Sequence, residues 1–130
     1  MTVGAITAMI THAREAAPDE CCGVVLGRAG VIHEAVRARN VAEHPRTQFV
    51  VDPADHIAAR RYGRDRGLEV LGFYHSHPRS AAVPSAADLS EAAYLDHLYV
   101  IVGLAADPPE VRVFGFDNGN IRERAFVTVG

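Results

Sequence analysis

The sequence predicts a mixed α/β domain of the α+β kind, with a mostly antiparallel sheet flanked by about three helices. Two observations carry that prediction. Segments with helical apolar spacing alternate with short apolar runs of strand length, and turn-forming residues stand at most junctions between them. The 130 residues suit a single domain, 1–130, which at this size buries enough surface to stand without disulfides.

The first helix is expected from about Val3 to Ala17, where Ile6, Met9, Ile10, Ala13 and Ala17 recur at helical spacing, and Pro18-Asp19 ends it. Cys22 to Gly27 suits a buried strand. Gly30 permits a turn into a second strand, Val31 to Ala38, paired with the first. A loop over 40–47 leads to a short strand at Phe49-Val50-Val51. Asp52-Pro53 then reads as an N-cap followed by proline at the first helical position, opening a helix to about Arg66 with Gly67 as its stop. Leu68 to Tyr74 is a strongly apolar strand that runs into His75-Ser76-His77-Pro78. After a loop of small residues from Arg79 to Pro84, a third helix is expected from Ser85 to about Asp96. Leu98 to Ala105, Val111 to Phe116 and Ile121 to Val127 are the last strands, and Asp117-Asn118-Gly119 marks a hairpin between the final two.

Composition removes several function classes. A net charge of −3 leaves no basic excess for nucleic acid, and all 13 basic residues are arginine. No run approaches the roughly 18 apolar residues that span a bilayer. The first residues lack the charged flank and apolar run of a signal peptide. The adjacent Cys21 and Cys22 cannot form a disulfide framework. These features suit a cytoplasmic protein with reduced thiols.

The chemistry concentrates at one place. His75 and His77 are two apart at a strand end, so their side chains share one face and can reach one ion. Asp88, separated from His77 by ten residues and in the first turn of the next helix, is the natural third ligand, with water as the fourth. Zinc takes such imidazole and carboxylate donors, and catalytic zinc commonly has three protein ligands; iron or another divalent ion fits the same donors. Taken alone, Ser85 and Asp88 equally fit a capping box opening the helix, and the two histidines fit a solvated strand face. Ser76, between the ligands, points to the opposite face and is structural. Cys22 packs as a small core hydrophobe. His12, His33, His44, His56 and His97 have no ligand spacing and suit surface or cap positions.

The joint pattern His75-Ser76-His77-Pro78 followed by Pro84-Ser85-Ala86-Ala87-Asp88 resembles the His-x-His-Pro…Ser-x-x-Asp signature of the JAMM (MPN+, JAB-type) zinc metalloproteases, in their compact prokaryotic branch. Upstream, Glu20-Cys21-Cys22-Gly23 resembles the family's Glu-x-Cys-Gly segment, and Phe73-Tyr74 is also family-like. The resemblance covers essentially the whole chain. It implies a curved, barrel-like sheet related to the cytidine-deaminase-like folds, one zinc on His75, His77 and Asp88, Glu20 as general base and Ser85 as oxyanion donor. It also implies a substrate: a ubiquitin-like or sulfur-carrier protein cleaved after its Gly-Gly tail. Such a tail is expected to add beside a sheet edge near the metal, with the Arg79 to Pro84 loop lining the groove. Three alternatives stay open. They are a closed metal module with Cys21 or Cys22 as fourth ligand, a metal-free scaffold of the MPN type, and a phage-tail or cell-wall peptidase of the same fold.

Overall fold

The computed structural model describes residues 1–91 and 94–130, with 90 and 91 by backbone only. The element order is α1 (Val3–Ala16), β1 (Cys22–Arg28), β2 (Val31–Ala38), α2 (Pro53–Asp65), β3 (Glu69–His77), α3 (Ala86–Glu91), β4 (Leu98–Gly103), β5 (Glu110–Asp117) and β6 (Asn120–Arg124). Local chemistry accounts for most of these bounds. The Thr2 hydroxyl accepts the Ala5 N–H and caps α1, and the Asp52 carboxylate accepts the Ala54 N–H ahead of Pro53 in α2. Asn118 and Gly119 turn at φ 52° and 80°, the two positive angles a two-residue I′ hairpin between β5 and β6 demands.

The six strands form one sheet in the order β2-β1-β3-β4-β5-β6. Every neighbouring pair is antiparallel except β3 and β4, which are parallel with Gly72 opposite Leu98 and His77 opposite Gly103. The barrel-like closure implied by the family resemblance is not realised, because β2 and β6 remain the two edges. What bridges them is short: the Thr2 N–H donates to the Ile32 carbonyl, and Met1 to Val3 exchange backbone bonds with Val129. Three other expectations shift. Phe49 to Val51 forms only one bridge, Val51 with Asn40, within a loop folded back on itself. The last strand stops at Arg124. The third helix is described from Ala86 to Glu91; of its expected continuation, residues 92 and 93 lie outside the described residues and the chain from Tyr94 to His97 is not helical.

Both faces of the sheet are covered, which is why the central strands are apolar without alternation. On one face Ala5, Met9 and Ala13 of α1 pack with Cys21, Val25, Tyr74, Val100, Val102 and Val113. On the other, Ala59 of α2 packs with Val24, Leu26, Leu68, Phe73 and Tyr99. Burying each such side chain contributes about 1.5–3 kcal/mol before chain entropy is counted. Among the described residues no helix is long and apolar enough to cross a membrane.

His12, expected at the surface, is instead half-buried on α1 with its Nδ1 2.7 Å from the Tyr74 hydroxyl. Burial, with Arg37 nearby, lowers its pKa to about 4. A histidine lowered in this way is protonated more readily in the unfolded chain, so stability falls as pH drops from about 6.5 toward 4. In thermal melts across that range, wild type should lose on the order of 1 kcal/mol more than His12→Gln, allowing for the ring's partial exposure. Parallel curves for the two proteins would remove His12 from the account.

Candidate metal centre

The parallel step between β3 and β4 builds the site. A parallel connection must carry the chain back to the starting end of the sheet, so a crossover of a dozen or more residues is obligatory. Residues 78–97 are that crossover, and Ser85 and Asp88 come early in it, still beside the end of β3. His75 and His77 project from that end with Phe73, on the α2 side, while Ser76 turns to the opposite face with Tyr74. Ser76 is fully buried there, and its hydroxyl accepts the Cys21 N–H at 2.8 Å.

The three expected ligands converge. His75 Nε2 lies 3.1 Å from Asp88 Oδ1, His77 Nε2 lies 3.0 Å from Asp88 Oδ2, and the two Nε2 atoms are 3.2 Å apart. Bonds of about 2.0–2.1 Å to a tetrahedral zinc set donor separations at roughly 3.3–3.4 Å. The donor set therefore fits such an ion closely. His77 Nδ1 is 2.8 Å from the Ala81 carbonyl, so Nδ1–H donates there and Nε2 keeps its lone pair toward the centre. Burial drives His75 below the usual imidazole range despite the Asp88 carboxylate. For His77 burial also disfavours the charge, yet bonds to Asp88 and Ala81 outweigh it and raise the pKa. Burial opposes ionisation of Asp88 too, but the two imidazoles hold its carboxyl far below the ordinary range.

Neither cysteine joins this group. Cys21 and Cys22 are buried, with their thiols raised to about 11 and 12 chiefly by desolvation. Cys22 Sγ faces the carbonyls of Ala38 and Arg39. A closed four-ligand centre with a thiolate is therefore not what this geometry forms.

His77 borders a cavity of about 380 Å³ lined also by Pro18, Glu20, Arg46, Thr47, Pro78, Arg79, Ser80 and Ser85. Glu20 is only 7% exposed, and its Oε1 is buried with no hydrogen-bond partner. Burial raises its pKa to about 7, with His77 opposing and Asp88 reinforcing the shift. An orphaned carboxylate oxygen beside three metal-competent donors is what a site for an ion-bound water requires. Ser85 and Asp88 do form the reciprocal capping box: the Asp88 N–H donates to Ser85 Oγ at 3.0 Å, and the Ser85 N–H to Asp88 Oδ2 at 2.9 Å. The hydroxyl accepts in that bond, so its own proton is still free to be donated.

Two supports were not legible from residue spacing. The Phe49 ring stacks on His75 with centroids 4.2 Å apart and planes 16° from parallel, covering the imidazole. Asn40 organises the strap over 40–51. Its Nδ2 donates to the Glu20 and Gln48 carbonyls, and its Oδ1 accepts the Ala42 and Val50 N–H groups. With the Glu20 N–H donating to the Pro45 carbonyl at 2.7 Å, the strap grips both backbone groups of Glu20. Asn after a strand is an ordinary turn residue, and nothing in the sequence distinguished this one. Of the remaining histidines, His56 and His97 lie in an aromatic cluster with Phe73 and Tyr94, away from the metal group.

The family model of prokaryotic homologs of the JAB domain matches residues 2–116. A desampylase of Haloferax volcanii is 37% identical over 99 residues, covering 72% of this chain and 71% of that protein. A CysO-cysteine peptidase of Mycobacterium tuberculosis is 32% identical over 121 residues, covering 91% and 82%. Among solved structures, a protein from Desulfitobacterium hafniense superposes with a TM-score of 0.89 at 29% identity, covering 98% of this chain and 90% of that one. The chain belongs to the prokaryotic JAB-domain family, as its motif implies.

The Ala81 carbonyl that orients His77 depends on close packing of its loop. A Cβ on Gly103 would come within 2.7 Å of the Ala82 nitrogen and 3.1 Å of the Ala81 carbonyl carbon, and Ala82 is fully buried against it. Gly103→Ala should therefore push the loop outward, weaken zinc affinity about 10-fold and destabilise the fold by about 1–3 kcal/mol. Competition against a chromophoric chelator measures the first, and unchanged affinity would show that the loop does not set the ligand.

Proposed function

We propose that this JAB-family chain is a zinc-dependent peptidase that hydrolyses the peptide or isopeptide bond after the Gly-Gly tail of a ubiquitin-like or sulfur-carrier protein. The observation that carries the reading is the buried Glu20 carboxylate, its Oε1 without a hydrogen-bond partner, sharing one cavity with His77 and Ser85, beside the His75–His77–Asp88 group. The peptidase names of the Haloferax and Mycobacterium relatives support the reaction class and the kind of substrate. Three protein donors, two imidazoles and a carboxylate, support zinc in its catalytic form.

When bound, zinc supplies a water acidified to near-neutral pKa and polarises the scissile carbonyl. The rest falls to the chain's own groups. Glu20, its backbone gripped by Asn40 and Pro45, takes a proton from the attacking water at a carboxylate oxygen and returns it to the leaving nitrogen. The water oxygen joins the glycine carbonyl carbon, the C–N bond breaks, and a glycine carboxylate and a free amine result. Ser85 donates its hydroxyl proton to the oxyanion that develops on the substrate. His75 and His77 stand on an interior strand, so neither sheet edge abuts them and an extended tail has no free strand of the sheet beside β3 to pair with. The tail lies instead against the 79–84 loop.

Glu20→Gln should keep about one zinc per chain and lose at least ~10²-fold in turnover of ubiquitin-like fusions carrying Gly-Gly-X junctions. Asp88→Asn should lose the zinc itself, and full activity in Glu20→Gln would sink the assignment of the base. Glu20 accepts a proton only when ionised, so kcat/KM of wild type should rise with pH through an acidic limb at or below about 7. A dication beside the carboxylate draws that limb downward.

Ser85→Ala should lower kcat by about 10²–10³-fold through the missing oxyanion donor, and stability by only about 1 kcal/mol through the lost cap. A loss of stability with kcat intact would leave Ser85 as a cap alone.

A further inference from the structure

We propose that Arg46 and Arg79 form a carboxylate-reading subsite on the leaving-group side of this centre, so that the preferred conjugate releases a single amino acid with a free α-carboxylate. The inference rests on the peptidase reading above and names its substrate class. Arg46 comes from the strap between β2 and α2, and Arg79 from the loop after β3; both line the cavity that holds Glu20, His77 and Ser85. Arg46 and Arg79, like Arg14, Arg28, Arg60, Arg61, Arg64 and Arg66, have no ion-pair partner among the described residues, and of these eight only Arg46 and Arg79 line this cavity. Two guanidiniums from separate elements thus line one cavity, in which Glu20 is the one carboxylate of the lining and is paired with neither of them. The hydroxyl-bearing residues Thr47 and Ser80 line the same wall.

A Gly-Gly tail has no side chain and no charge for these groups to meet. The ε-amine of a protein lysine brings a methylene stem to the cavity and no carboxylate near the bond. An α-linked amino acid is different: its carboxylate is one carbon from the scissile nitrogen, the atom Glu20 must protonate. Guanidinium and carboxylate are matched in shape as well as charge, and the charge-assisted pair is about twice as strong as a neutral hydrogen bond. When the released group continues as a polypeptide, a neutral peptide carbonyl takes the carboxylate's place and that pairing is lost. At about 380 Å³ the cavity lies at the small end of ordinary ligand pockets, a size for one residue.

The test uses a ubiquitin-fold protein extended as Gly-Gly-Ala, made with a free carboxylate and with a C-terminal carboxamide. A third probe joins the same Gly-Gly end by an isopeptide bond to the ε-amine of an N-acetyl-lysine amide. Turnover is measured with the zinc-loaded protein, and dissociation constants with zinc-loaded Glu20→Gln, which separates binding from chemistry. The acid should be favoured over the carboxamide and the isopeptide by at least ~10-fold in both readouts. That ratio should collapse toward one in Arg46→Gln and in Arg79→Gln, with zinc content and melting temperature checked in each variant. Equal handling of acid and carboxamide by wild type, or a preference that survives both arginine substitutions, overturns the subsite and leaves the peptidase reading intact. No turnover of any probe, together with an arginine-dependent binding preference, sinks the peptidase reading and leaves the subsite standing.

Discussion

The site depends on one constraint: an acid eleven residues downstream of His77 must return to the end of the strand that carries two histidines. Asp88 achieves this because β3 and β4 run parallel, the only parallel pair in the sheet. An antiparallel hairpin would have sent the next strand directly back alongside β3, with no segment left over the His75 and His77 end. The crossover instead hovers there before it descends toward Leu98, and its first helical turn places the Asp88 carboxylate between the two imidazoles. Ligand sites in α/β sheets gather at the carboxyl ends of parallel strands for the same topological reason.

Holding the ligands takes more than the ligands. The packing of the 79–84 loop on Gly103 fixes the Ala81 carbonyl, which fixes His77. The strap over 40–51 fixes Glu20 from one side and lays Phe49 on His75 from the other. The base of the strap is closed by the Asn40–Val51 bridge and by Arg39, which contacts Asp52 and Asp55 at the start of α2. The Arg39 side chain is largely exposed, and ion pairs of that kind individually contribute little. Their effect is geometric, tying the strap to a helix whose own start is set by the Asp52 cap. A rigid support of this kind matters because an oriented base and ligand set must be held to within fractions of an ångström.

Much of the fold was legible because its signals are local. Asp52-Pro53 and Asn118-Gly119 act through bonds within a few residues, and each set its element where expected. His75 and His77 were legible for a similar reason, since strand alternation alone puts them on one face. The failures share the opposite property. Phe49-Val50-Val51 is rich in strand formers, yet a strand needs a neighbour, and its loop offers only one bridge at Asn40. His12 is a polar residue in an amphipathic helix, and only the three-dimensional approach of Tyr74 reveals its role. Barrel closure fails at the same level, since it depends on two edges meeting that are remote in sequence. Glu20 is the intermediate case. As a lone acid next to Asp19 it carried no signal, and the family motif, not any local pattern, singled it out.

Ser85 and Asp88 posed the sharpest ambiguity, because a helix cap and a ligand-plus-oxyanion pair ask for the same residues. The geometry dissolves the opposition. Asp88 has two carboxylate oxygens: Oδ1 faces His75, while Oδ2 faces His77 and accepts the Ser85 N–H. Accepting that N–H fixes the carboxylate plane, as a partner outside the ligand set should. Ser85 in turn accepts the Asp88 N–H with a lone pair and keeps its proton for the cavity. The described part of α3, Ala86–Glu91, starts at this cap. The cap and the convergence on the histidines therefore stabilise one another, and removing either weakens both. A capping box at this position holds the Asp88 carboxylate where the two imidazoles meet it.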